Sequence, residues 1–503
     1  MGAETKFGFQ RGLEGRYEPV GVVDIGSNSV RLVIFDGPWR HATPLHNEKA
    51  LCAIGRNMVS TGKLDEAGSD YAIKTLERYR ELCALHGVRD VGAVATAAAR
   101  DASNGKEFIR RAEKALGAPI LVLSGEEEAK TAAEGTLAGI PEADGMVADL
   151  GGGSLDMVTV KDGKTGSAWT FPFGPLRLMD IGGDNLGKAK TAVEKGLSSI
   201  DNGKQLKGRA LYAVGGIWRA LAHVDMDKQT YPRQVLHQYA IPAERAAKLC
   251  RVIAGQSRKS LERIRAVPKR RLEALPYGAL VMQEMIETFG FKEIVVSAYG
   301  LREGVLHKRL PASERGKDPL IEFARDAAAR DGRVSSSGAG LFRWMSPLFP
   351  KEDVRERRIR EASCHFADIG WRRHPDDRAT SSLVRVLRGP YGAATHGERA
   401  IMAGAVFCRY AGNGDFPQNS GLNELLSEED GRLALKIGLC ARLAFGLLGV
   451  VEDELSEFPL SFSKEAVTLE IPSARKALAG EIAAKRLDAV AAAFGRKGIA
   501  AVV

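Results

Sequence analysis

One six-residue pattern occurs twice in this chain, 125 residues apart: Asp24-Ile-Gly-Ser-Asn-Ser29 and Asp149-Leu-Gly-Gly-Gly-Ser154. Val20 to Val23 leads into the first copy and Val30 to Phe35 leaves it, while Met146 to Ala148 and Leu155 to Val160 flank the second. Each copy predicts a strand, a tight turn and a returning strand. Glycine lets the backbone reverse sharply and lets a ligand come close, and successive N–H groups in such a turn form a concavity that binds anions. The leading Asp can hold a metal ion beside that anion. A single copy is equally compatible with a plain hairpin turn. Duplication points instead to two related domains with a ligand in the cleft between them. Two facing copies form a clamp for a phosphate chain, with Ser27, Asn28 and Ser29 on one side and Gly151, Gly152, Gly153 and Ser154 on the other. Asp24, Asp149 and Asp156 supply metal-binding oxygens.

A chain of 503 residues exceeds the size at which one hydrophobic core keeps growing, so three domains are expected. Up to residue 140 strands alternate with helices: a helix from Asp65 to His86, a strand at Val91 to Ala95, a helix from Gly105 to Leu116 and a strand at Ile120 to Leu123. Residues 141–310 repeat the plan, with strands at Leu211 to Val214 and Glu293 to Val296. From 311 to 503 the texture turns Arg- and Ala-rich with helical spacing, as in Arg357 to Phe366, His396 to Tyr410 and Leu433 to Val450; Ala466 to Ile471 is the strand-like exception. Gly332 to Gly340 reads as a loop. The fold class is therefore α/β with a mainly helical C-terminal region.

The hydrophobic fraction of 44% and charged fraction of 27% are those of a soluble globular protein. No apolar run is long enough to span a bilayer and the first twenty residues have no signal-peptide core, so a cytoplasmic protein is expected. The six cysteines show no C-x-x-C spacing and read as reduced core thiols. The net charge of +9 suits a polyanionic partner. Nucleic acid, a nucleotide or an inorganic phosphate polymer would all satisfy it.

Ser124 followed by Glu127 is a capping-box pattern, which sets Glu126, Glu127 and Glu128 in the first turn of a helix. Some of these carboxylates complement the helix dipole. The functional reading is that one enters the cleft and orients an attacking water, kept ionised by the helix N-terminus against nearby phosphate charge. Arg100 is placed to aim a guanidinium at phosphoryl oxygens. Two further segments close the cleft: Tyr212-Ala-Val-Gly-Gly-Ile-Trp-Arg219 and Val295-Val-Ser-Ala-Tyr-Gly-Leu-Arg-Glu-Gly304, the latter with Arg302 as a phosphate contact.

Taken together, DIGSNS at 24 to 29, ATAAAR at 95 to 100, SGEEEA at 124 to 129, DLGGGS at 149 to 154, VGG at 214 to 216 and GLREG at 300 to 304 resemble the exopolyphosphatase and guanosine pentaphosphate phosphohydrolase family. That resemblance implies two ribonuclease-H-like domains of the actin-like ATPase superfamily, Mg²⁺ dependence, release of terminal orthophosphate from inorganic polyphosphate, and a homodimer. It implies Glu128 as the catalytic base. Guanosine tetraphosphate or pentaphosphate is the alternative substrate or a regulator, and neither nucleic acid nor membrane is an expected partner. The chain departs from the family at Asp156, where many relatives carry Glu, and at Ile217, where Thr is frequent. The third region resembles an HD-type domain with an eroded signature at Ala367-Asp368-Ile369-Gly370 and Arg409-Tyr410-Ala411. No second metal site is expected there, and His365 and His374 read as structural or polyanion-contacting. A sugar-kinase-type phosphotransferase and a non-catalytic phosphate sensor are the readings from other classes. The first would need a site for an acceptor hydroxyl, and the second is expected to have lost the clamp aspartates or the Glu.

Overall fold

The computed structural model describes residues 18–183, 185–201, 203–232, 235–333, 337–449 and 453–503. These form two compact units, one ending at Gly316 and the other running from Lys317 to Val503.

The first unit holds two sheets. In the first, β1 (Val20–Ile25), β2 (Val30–Phe35), β3 (Pro44–Ala50), β4 (Asp90–Ala95) and β5 (Ile120–Val122) lie in the order β3-β2-β1-β4-β5. β1, β2 and β3 form an antiparallel meander, and β4 and β5 add in parallel. The second sheet contains β6 (Gly145–Leu150), β7 (Leu155–Lys161), β8 (Lys164–Phe171), β9 (Ala210–Val214), β10 (Ala240–Pro242) and β11 (Glu293–Val296). Its order, β10-β11-β9-β6-β7-β8, repeats the first with one extra edge strand, β10. Sequence reading found both hairpins but not β3 or β8, whose alternating, half-exposed residues lack a hydrophobic run.

β1 reads as a continuous apolar run because both faces of its sheet are covered. Val23 and Ile25 face a core built with the helices Glu66–Leu85 and Gly105–Leu116. Val20 and Val22 face the other way, onto Leu301, Val305 and Leu306 of the helix Leu301–Arg309. In return, Ala129, Ala133 and Leu137 of the helix Gly125–Gly139 pack on Val147, Val158 and Tyr212 of the second sheet. Each sheet is thus covered by a helix that follows the last parallel strand of the other. The two helices touch backbone to backbone, since a Cβ on Gly135 would overlap the Gly300 carbonyl and one on Gly304 that of Thr131. Lys308 Nζ donates to Thr131 Oγ1 across the crossing at 2.7 Å.

The second unit is mainly helical. Its longest helices are Pro319–Asp331, Val354–Phe366, His396–Ala411, Glu428–Leu448 and Glu481–Ala493, and its small sheet has the order β12 (Leu460–Phe462), β13 (Ala466–Ile471), β14 (Lys497–Val502). β13 matches the expected strand, whereas the short β12 and the Gly- and Ala-containing β14 carry no strand signal of their own. The expected loop at 332–340 gives way to a helix from Ser337 to Met345, and residues 334–336 lie outside the described residues. Both ring nitrogens of His365 are buried without hydrogen-bond partners and burial pushes its pKa down to about 4, so it is a neutral core residue and not a polyanion contact. His374 lies at the surface, 3.6 Å from Asp376. Among the described residues no helix is long and apolar enough to cross a membrane.

Candidate active site

The two repeated turns face each other: a Cβ built on Gly152 would lie 3.5 Å from Ser27 Oγ. Each turn is closed by one backbone bond of 3.0 Å, from Gly26 N–H to the Ser29 carbonyl and from Gly151 N–H to the Ser154 carbonyl. Neighbouring segments brace them. The Ser27 and Asn28 carbonyls accept from Gly55 and Ala53, and the Gly152 carbonyl accepts from Leu176. Carbonyl oxygens are thereby tied back into the protein.

The strand register decides what faces each leading aspartate. Asp24 pairs across β1 and β2 with Arg31, and its carboxylate accepts from Arg302 Nη1 at 3.2 Å. Asp149 pairs across β6 and β7 with Asp156. Like charges directly opposite destabilise a hairpin, and the titration behaviour reflects that. Burial, then Asp156, pushes Asp149 up to about 7, against the pull of Arg219. Burial also raises Asp156, although its Oδ2 accepts from Ser154 Oγ at 2.9 Å. Its Oδ1 is buried with no hydrogen-bond partner.

The capping box forms as expected. Ser124 Oγ accepts from Glu127 N–H at 3.2 Å and the Glu127 carboxylate accepts from Ser124 N–H at 2.9 Å. Glu126 pairs with Lys130 on the exposed side. Glu128 is therefore the carboxylate left to enter the cleft, with its side chain 15% exposed. Its Oε2 lies 3.5 Å from Arg100 Nη1, which also donates to the Leu123 carbonyl at 2.9 Å. At Glu128 the lowering expected from the helix N-terminus is outweighed. Burial, then the charges of Asp156 and Asp149, raises its pKa far above the carboxylate range and outweighs Arg100.

The expected metal trio is also rearranged. Among the described residues no three His, Cys, Asp or Glu side chains converge as a ready-made metal cage. Asp24 is taken up by Arg302, and the part of the trio that fits a cation is Asp149 with Asp156. Two facing buried carboxylates, one with an orphaned oxygen, suit a hard divalent ion, and Mg²⁺ commonly uses only one or two carboxylates plus substrate phosphates.

Of the basic wall, sequence reading nominated Arg302 alone. Arg219 donates to the Gly215 carbonyl and is lowered by burial and by Arg302. Arg31 is lowered by burial and Arg302, and Lys49 by burial and then by Arg31, Arg270, Arg271 and Arg302. These cations crowd one another, which is the signature of a surface built for an anion. The signal available in the sequence was the Arg seven residues after the first motif's Asp, where the second copy has Asp156.

Residues 33–313 match the model of the Ppx/GppA phosphatase family, and residues 321–501 match that of the exopolyphosphatase C-terminal region. Exopolyphosphatase 1 of Mycobacterium tuberculosis is 25% identical over 320 residues, covering 60% of this chain and 91% of that protein. Retrograde regulation protein 2 of Saccharomyces cerevisiae is 26% identical over 445 residues, covering 78% of this chain and 73% of that protein. The crystal structure of the Aquifex aeolicus Ppx/GppA family member is 27% identical with a TM-score of 0.51, covering 58% of this chain and 97% of that one.

Proposed function

Since the chain belongs to the Ppx/GppA phosphatase family, we propose that it is an exopolyphosphatase that releases terminal orthophosphate from inorganic polyphosphate with Mg²⁺. The observation that carries this reading is the pairing of an acidic pocket, Glu128 with Asp149 and Asp156, against a wall of Arg31, Lys49, Arg219, Arg271 and Arg302. A wall that continues through Lys49 to Arg270 and Arg271 fits several phosphates in series, and the relatives named exopolyphosphatase agree with that.

Phosphoanhydride hydrolysis asks for positioning and charge neutralisation more than for covalent chemistry. Arg302 and Arg219 hold non-bridging oxygens of the terminal phosphoryl group, with the free N–H groups of the two turns around it. Glu128, oriented by Arg100, takes a proton from the attacking water as the water oxygen bonds to phosphorus. The bridging P–O bond breaks and its electron pair leaves on the shortened chain. Asp149 and Asp156 would hold the divalent cation, which when bound would supply positive charge at the phosphoryl oxygens. Burial and the two aspartates raise Glu128, which suits it to take up a proton from water.

The test is orthophosphate release by the purified chain with Mg²⁺, comparing long-chain polyphosphate with guanosine pentaphosphate, for the native protein and Glu128→Gln. Release from polyphosphate that falls by about 10²–10⁴ in the variant supports the proposal. Preference for the nucleotide would make the protein a guanosine pentaphosphate phosphohydrolase. Undiminished release by the variant would remove Glu128 from its role.

A further inference from the structure

In the first unit Arg78, Arg111, Arg209 and Arg309 are each paired with a carboxylate, while Arg31, Arg219 and Arg302 stand on the basic wall. Arg177 belongs to neither group. It is half-buried, and among the described residues it has no hydrogen-bond or ion-pair partner. Its guanidinium nonetheless lies at the second repeated turn: the Nε is 3.9 Å from where a Cβ on Gly153 would stand.

The backbone holds it there. The helix Pro175–Gly182 starts directly on that turn, with Leu176 N–H donating to the Gly152 carbonyl at 3.0 Å. A Cβ on Gly174 would overlap the same carbonyl, so the two segments approach this closely only because position 174 has no side chain. Pro175 and Leu178 are buried on either side of Arg177 in the sequence, and Tyr277 Oη donates to the Gly183 carbonyl at 2.7 Å just past the other end of the helix. The first turn of this helix contains no acid. Arg177 therefore adds its charge to the positive end of the helix, where a carboxylate is the usual complement.

A guanidinium without a partner, held beside a turn of backbone N–H groups, suits an anion that reaches both. We infer that Arg177 grips the terminal phosphoryl group from the side of the second turn, as Arg302 does from the side of the first. This inference rests on the proposed hydrolysis and adds to it a contact that sequence reading did not nominate. Every substrate brings a terminal group, so what Arg177 contributes is independent of chain length. Cations farther along the wall serve only chains long enough to reach them. Orthophosphate, once released, occupies the same place, so Arg177 also holds the product.

Orthophosphate release by the full chain with Mg²⁺, measured on inorganic tripolyphosphate and on long-chain polyphosphate, tests this with Arg177→Gln and Arg177→Lys. Arg177→Gln should lower kcat/KM about tenfold by the same factor on both substrates, mainly through KM, and weaken inhibition by added orthophosphate about tenfold. Arg177→Lys keeps the charge without the fork and should recover part of both losses. A role in folding alone would lower the melting temperature and leave inhibition by orthophosphate unmoved. Native kcat/KM and native inhibition in Arg177→Gln would overturn the inference and leave the exopolyphosphatase reading standing. A loss confined to the long chain would also overturn it, by placing Arg177 along the polymer and not at its end. Release from neither substrate by the native protein would overturn the function and the contact together.

Discussion

At Asp24 and at Asp149 the chain makes the same turn, closed by the same bond, yet the residue across the strand is Arg31 in one hairpin and Asp156 in the other. The first hairpin carries its own countercharge and is joined by Arg302; the second concentrates negative charge that Arg219 and Arg302 only partly offset. Duplication therefore supplied the backbone, and divergence at one register position divided the labour. On the proposed reading, the cations gather beside the first hairpin, and the second presents its carboxylates to the cation.

The largest test of that division is a matched pair of changes. Asp149→Asn should lower kcat for orthophosphate release about 10³-fold and blunt the response to Mg²⁺. Asp24→Asn, which chiefly releases Arg302, should cost about tenfold. Equal losses measured side by side would break the comparison. Next in size, Arg302→Ala should raise KM for polyphosphate about 10–100-fold with a smaller effect on kcat, as expected for one charge-assisted contact to phosphate.

Stability against pH sharpens the contrast further. The folded protein raises Asp149 from about 4 to about 7, with Asp156 and Glu128 also raised. Such groups favour folding below the unfolded-state pKa and lose that contribution as pH climbs through the folded one. Without divalent cation the melting temperature should therefore fall as pH rises from about 4 to 7. Mg²⁺ should restore it by a few degrees, and Asp156→Asn should reduce both effects. The smallest effect is expected on the basic side. Arg31→Gln should leave kcat nearly unchanged and make polyphosphate binding less steeply salt-dependent by about one counterion, by analogy with nucleic acids.

Much of this was legible in the sequence because hairpins and caps are local. The repeated turn, the capping box at Ser124 and the strand Ala466–Ile471 all announce themselves within a few residues. That Glu128 alone enters the cleft also follows from local chemistry once Glu127 is seen to cap and Glu126 to pair with Lys130. What escaped depends on partners distant in the chain. Arg31 and Lys49 look like ordinary surface cations until Arg302 and Arg271 are set beside them. The raised pKa of Glu128 comes from its burial and then from two aspartates distant in the sequence. β3 and β8 are strands because a neighbour fixes them, not because their side chains prefer it.

The crossed helices carry a consequence for how the chain is made. The side of the first sheet bearing Val20 and Val22 stays bare until Leu301 to Leu306 have been synthesised, nearly three hundred residues later. At ribosomal speeds of about 5–20 residues per second that is on the order of 15–60 s. A nascent chain halted near residue 140 would thus display an apolar surface on its sheet and a helix, Gly125–Gly139, with nothing to lie on. Each half of this repeat supplies the helix that completes the other's core, so the two finish folding together rather than one after the other.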